Sequence, residues 1–256
     1  MYRGFNVASF HFDGTTEEYE RIGQSMFDEN RMAIENRIES FKNAEGHLVA
    51  SKISAKWFPE VHADIFLSHS HQDERLVVQL AGWLKKQFGL TSFIDSTAWG
   101  YSETLLKMID DQYCQDKESG IYSYQKRNHT TSHVYMMLTI ALTKMLDSCE
   151  CVFFINTPKS ITLNDNIGNS GFTMSPWIYS EIAMTSLIQK RTKDDHRGRH
   201  LLKAANESYT FDSIDVAYDV DLSHLTPLNA TDLNRWREST NAKNVQALDK
   251  LYELNQ

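Results

Sequence analysis

The chain has 256 residues, enough for one large domain, or one domain with an appendage, around an ample core. Its 41% hydrophobic content and thirteen phenylalanines are those of a globular protein and argue against a disordered chain. The net charge of −8, without any dense basic block, argues against a nucleic-acid partner, because phosphate binding needs clustered Lys and Arg. The nearest approach to such a block, residues 189–200 with Lys190, Arg191, Lys193, Arg197 and Arg199, is interrupted by Asp194 and Asp195 and reads as a solvated loop. Three cysteines are an odd number and too few for a disulfide framework, so Cys149 and Cys151 are expected as buried, reduced thiols beside Cys114. The first residues lack the apolar run of a signal peptide, and no segment approaches bilayer length. The expectation is a cytoplasmic protein without a membrane partner.

In chain order, residues 2–12 alternate loosely through Tyr2, Phe5, Val7, Phe10 and Phe12 and suggest an edge strand. Residues 15–43 place Tyr19, Ile22, Met26, Ile34, Ile38 and Phe41 on one rough helical stripe, which Gly46 ends. Such a helix must bury its stripe against the main domain or against a second subunit. Residues 1–61 therefore read as an N-terminal extension and 62–256 as the main domain. The latter shows strand 63–67, helix 74–88, strand 92–95, helix 103–113, strand 151–156 and helix 176–190. That alternation predicts an α/β fold with a doubly wound, flavodoxin-like parallel sheet. An insertion at about 115–148 precedes the third strand. Its second half is helical, with Val134, Met137, Leu138, Ala141, Leu142, Met145 and Leu146 in i, i+3, i+4, i+7 spacing. Its first half, 120–133, reads as a loop that either roofs a pocket or is a surface excursion. Residues 216–221 look like a fourth strand and 241–254 like a closing amphipathic helix, with Trp236 in the core.

Two stretches carry chemistry. Ser175 and Pro176 have the residue types of an N-cap and a first helical position, so Trp177 and Glu181, four residues apart, share one face of a helix that follows a strand. Read alone, this is either a half-buried Trp beside a solvated Glu or a ligand site at a strand's carboxyl end. The second stretch runs Asp64-Ile65-Phe66-Leu67-Ser68-His69-Ser70-His71-Gln72-Asp73-Glu74, an apolar strand entering a polar turn. Asp-Ile-Phe-Leu-Ser-His, then Phe93-Ile94-Asp95 with the Trp99-Gly100 loop, then Trp177 with Glu181, in that order, resembles the Toll/interleukin-1 receptor (TIR) domain. More narrowly it resembles the bacterial TIR proteins of antiphage defence, including the Thoeris type. The likeness covers roughly residues 62 to 190.

That resemblance implies NAD+ as substrate, with no other cofactor and no metal, and Glu181 as the catalytic residue with Trp177 beside it. Ser68, His69 and Ser70 match positions lining the dinucleotide site, and Asp95, Trp99 and Tyr101 match a mobile loop after the second strand. Trp99 is either a stacking surface for a base or a loop anchor. The product would be ADP-ribose, a cyclic isomer or a conjugate, read by a separate effector after a phage-derived trigger. The family also implies a homo-oligomer or filament when activated. The kit suits the reaction: the ribose–nicotinamide bond releases a neutral amide, so no acid need protonate the leaving group, unlike an ordinary glycoside. One ionised Glu suffices to hold the ribose and face the oxocarbenium ion. Two other readings remain open. One is a non-catalytic TIR adaptor that acts by self-assembly. The other is a zinc hydrolase, since His69-x-His71-x-Asp73 also resembles the metallo-β-lactamase signature, with His129 or His133 as a distant ligand.

Overall fold

The computed structural model describes residues 1–8, 10, 12, 16–29, 38–163, 170–197 and 217–255. The first strand, β1 (Arg3–Val7), precedes helices α1 (Thr16–Glu29) and α2 (Ala50–Trp57). Then come β2 (Ile65–Ser68), α3 (Glu74–Phe88), β3 (Ser92–Ile94), α4 (Ser96–Tyr113), α5 (Tyr124–Ser148) and β4 (Cys151–Ile155). The remainder comprises β5 (Thr162–Leu163), β6 (Ser170–Thr173), α6 (Pro176–Leu187), α7 (Lys193–Arg197), β7 (Tyr218–Asp221), β8 (Thr226–Leu228), α8 (Ala230–Ser239) and α9 (Val245–Leu254). Among the described residues no helix is long and apolar enough to cross a membrane.

Five strands form one parallel sheet in the order β3-β2-β4-β1-β8, flanked by helices, an arrangement compatible with a flavodoxin-like fold. Every residue of β2 and β4 is buried, as strands covered on both faces require. Alternation sorts the side chains. Phe5, Val7, Ile65, Leu67, Phe153 and Ile155 face α3, α8 and α9, where Trp236 stacks on Phe88 at 3.9 Å and donates its indole N–H to the Ala247 carbonyl. Phe66, Phe93 and Val152 face α2, α4 and α5. Phe154 meets Ile178 and Ile182 of α6. A separate antiparallel sheet, β5-β6-β7, lies beside α6.

Several expectations are corrected. The N-terminal strand is interior: β1 pairs with β4 on one side and β8 on the other. Along the chain, its loose alternation of apolar Phe5 and Val7 with half-buried Arg3 and Asn6 reads the same for an edge strand as for an interior one. The stripe over 15–43 does not belong to one helix. Tyr19 is buried on the α3 face of the sheet, whereas Ile38 and Phe41 are buried on the α5 face. Ile34 lies outside the described residues. Residues 124–133, read as a loop, are the first turns of the 25-residue α5. Helix α4 starts at Ser96, so the Trp99-Gly100 segment is helical and not a mobile loop. The stretch 189–200 contains α7, whose Arg197 forks onto both oxygens of buried Glu150 at 2.9 Å; Arg199 and His200 lie outside the described residues. Of 216–221, Tyr218–Asp221 is a strand, but of the small sheet; Val216 lies outside the described residues. The last strand of the main sheet is the three-residue β8, whose Pro227 is tolerated because β8, among the described residues, pairs with one strand only.

Candidate active site at the sheet's switch point

From β2 the chain leaves towards β3, and from β4 it leaves towards the opposite edge of the sheet. The carboxyl ends of β2 and β4 therefore border a topological switch point, where open α/β sheets place ligands. Ser68 ends β2. By the two-residue period it lies on the face of Phe66, towards α5 and α6. Helix α6 starts as its residue types demand: Ser175 Oγ accepts the Ile178 N–H at 3.3 Å and Pro176 is the first helical residue. One turn in, Glu181 is carried beneath Trp177 and inwards to Ser68.

Glu181 is 3% exposed, not solvated. Ser68 Oγ donates a hydrogen bond to its Oε2 at 2.5 Å, and Oε1 finds no donor. The carboxyl's other neighbour is the carboxylate of Asp95, with which only a protonated Glu181 can hydrogen-bond. Burial first, and then the charge of Asp95, push Glu181 well above the usual carboxylate range; the Ser68 hydrogen bond opposes them. Asp95 in turn faces His69. Its Oδ1 is 2.5 Å from His69 Nδ1 and its Oδ2 accepts the His69 backbone N–H at 3.3 Å. Burial opposes charge on His69, yet the charge and hydrogen bond of Asp95 outweigh it and raise the imidazole. The cluster is thus a chain from Ser68 through Glu181 and Asp95 to His69, drawn from two strand ends and one helix.

Trp177 stands beside it, half-buried, its ring edge-on to Tyr135 of α5 with centroids 5.4 Å apart. A narrow cleft runs between α5 and α6, lined by Thr139, Leu142, Thr143 and Leu146 from the first and by Trp177, Ser180, Glu181 and Met184 from the second. Of these, Leu142 and Leu146 belong to the apolar stripe read from the sequence as core, whereas Thr139 and Thr143 were missed. Their only signal is that Tyr135, Thr139 and Thr143 recur every four residues beside the apolar stripe.

Of the residues singled out by sequence, Ser68, His69, Asp95, Trp177 and Glu181 come together. Ser70 is half-buried in the turn after β2, where its carbonyl accepts the Asp73 N–H. Tyr101 lines a different, apolar pocket of about 20 Å³ with Trp57, Phe58, Phe93 and Met145. The side chain of Trp99 lies outside the described residues. His69 and His71 diverge: the first is wholly buried on Asp95, the second 80% exposed beside Glu74. Asp73 takes the Thr157 hydroxyl and the Lys159 ammonium, and His129 and His133 are exposed on α5. Among the described residues no group of three or more His, Cys, Asp or Glu side chains is placed to hold a metal ion. The thiols of Cys149 and Cys151 are buried and raised by that burial, the first to about 12.

No protein-family model, curated protein or solved structure matches the chain.

Proposed function

We propose that this chain is a TIR-type NAD+ glycohydrolase or cyclase that breaks the bond between nicotinamide and ribose. One observation carries the proposal: Glu181, enclosed at the switch point, touches the end of β2 through Ser68 and shares its helix face with Trp177. Water-excluded surroundings strengthen the attraction between an ionised carboxylate and a sugar cation. In the reaction, the C1′–N bond breaks and its electron pair goes to nicotinamide, which departs neutral. Glu181, as the anion, faces the oxocarbenium centre and holds the ribose hydroxyls, while Trp177 walls off water. The positive nicotinamide ribose itself offsets the burial that raises Glu181 and so favours the ionised form.

The cleft beside Glu181 is closed between α5 and α6 and has no room for a dinucleotide, so substrate entry requires α5 and α6 to part. When they close again, the α5 side chains exclude solvent, which favours capture of the cation by the substrate's own adenine or ribose over capture by water. The product, on this reading, is a cyclic ADP-ribose isomer that serves as a signal in antiphage defence. Incubation with NAD+ and mass identification of every product tests it. Wild type should release nicotinamide, and Glu181→Gln should lower that rate by about 10²–10³, the usual weight of one electrostatic group. Retained turnover in the variant excludes Glu181, and ADP-ribose as sole product excludes the cyclase.

A second reading, assembly without catalysis, is favoured by exposed apolar side chains on β6, the turn after it and α6: Phe172, Met174, Tyr179 and Leu187. Such a patch suits association with another protein surface. Concentration-dependent assembly without any nicotinamide release would select it.

A further inference from the structure

Asp95 occupies the N-cap position of α4 yet makes no capping hydrogen bond. Its carboxylate is turned instead to His69, which grips both oxygens, one through Nδ1 and one through the backbone N–H. Both side chains are wholly buried, and Glu181 completes a sealed set of three titratable groups. Two adjacent buried carboxylates cannot both ionise beside a single imidazolium without leaving one charge uncompensated. The arrangement that balances is imidazolium, Asp95 carboxylate and neutral Glu181. Among the described residues no other titratable group acts on Glu181. Helix α5 presents Thr139, Thr143 and Leu142, which do not titrate, and Glu74 at the start of α3 acts on His69 only and in the same sense as Asp95.

We infer that Asp95, gripped by His69, is a positioning residue that keeps the proton on Glu181 in the closed site, so that a ligand is admitted only if its own positive charge replaces that proton. This deepens the proposed reaction and rests on it for the identity of the ligand, a ribosylated pyridinium. On entry, the Glu181 O–H bond breaks and one proton leaves to solvent. The carboxylate then faces the cation, and the site discriminates against the uncharged dihydropyridine form. Electrons are not exchanged, and Asp95 touches Glu181, not the substrate.

The test is the pH dependence of kcat/KM for NAD+ in wild type and Asp95→Asn, together with infrared difference spectra of wild type minus Glu181→Gln at pH 7. Asp95→Asn keeps the shape of the group and removes its charge. The acid limb of the profile should move down by at least one pH unit. The difference spectrum should show a protonated-carboxyl stretch that is lost when Asp95→Asn is the background. An unmoved acid limb, or a wild-type spectrum without the protonated-carboxyl band, overturns the inference. Should Asp95→Asn fail to fold, Asp95→Ser takes its place in the same spectra, and a band that keeps its full strength in that background overturns the inference. If wild type releases no nicotinamide, the reaction falls while the infrared band still decides the role of Asp95.

Discussion

Glu181 carries two opposed demands, and pH separates them. As a buried group it is most stable protonated; as a catalyst it must ionise. Its folded-state value lies well above the ordinary 4.5, so between those two values the folded protein holds a proton that the unfolded chain has lost. The stability it contributes is therefore complete below about pH 4.5 and is lost as pH rises through the folded value. His69, raised above 6.5, works in the same direction: its contribution is present below that value and fades as pH climbs through the raised one. Glu181→Gln has nearly the same shape and does not titrate. Melting temperatures of wild type and this variant, compared from about pH 5 to about pH 8, should show wild type losing ground steadily as pH rises. Parallel curves would mean that Glu181 is solvated, not enclosed. The residue types at this site were legible in the chain: Ser175 and Pro176 set the helix start, and spacing alone put Trp177 and Glu181 on one face. The partnership of Asp95 with His69 was not, because 26 residues separate them and only the pairing of β2 with β3 brings them together.

At the scale of elements, the crossing of α1 on α3 depends on two glycines. A Cβ on Gly82 would stand 1.8 Å from the Tyr19 carbonyl oxygen, and one on Gly23 would stand 1.9 Å from the Val78 carbonyl oxygen. Backbone meets backbone on both sides, so neither contact can be relieved by turning a side chain. Gly82→Ala is favourable to an isolated helix, since alanine has the higher helix propensity. In the protein it should instead destabilise by about 1–3 kcal/mol, the usual cost of overfilling a packed contact. The denaturation midpoint measures this, and a stabilised variant would show that the two helices do not lie in contact. The helical period revealed α3, the second half of α5 and α9, and cap chemistry revealed α6; each packs an apolar face on a core. It misread 15–43, because a stripe records only that side chains are buried, not which side of the sheet buries them. Tyr19 and Ile38 continue one pattern on paper and sit on opposite faces.

For the whole molecule, the place of β1 decides what can be removed. Residues 1–61 read as an extension, but Arg3–Val7 is a central strand, paired from Arg3 with Cys151 through Val7 with Ile155 and, on its other side, with Thr226–Leu228. Truncation to residues 62–256 would strip β4 of one neighbour and leave β8 with none, exposing unpaired backbone groups and the apolar side chains around Phe5. That fragment should not give a folded monomer by circular dichroism and size-exclusion chromatography. A cooperative melt of the fragment at the wild-type temperature would contradict this account. Supplying residues 1–61 in trans is the control, since strand addition can restore the missing pairing.

What the amino-acid order alone determined is everything that depends on neighbours along the chain. The two-residue and 3.6-residue periods, the caps and the alternation of element types marked a parallel α/β protein with a carboxylate beside a tryptophan at a helix start. What only the tertiary structure decided is everything that depends on neighbours in space. These are the insertion of β1 between β4 and β8, the choice of face for each stripe, and the enclosure of Glu181 by Ser68, Asp95 and α5. The physical reason is range. Periodicity and capping act over one or two turns of chain, while strand order and the burial of a charge are set by surfaces brought together from distant parts of the chain.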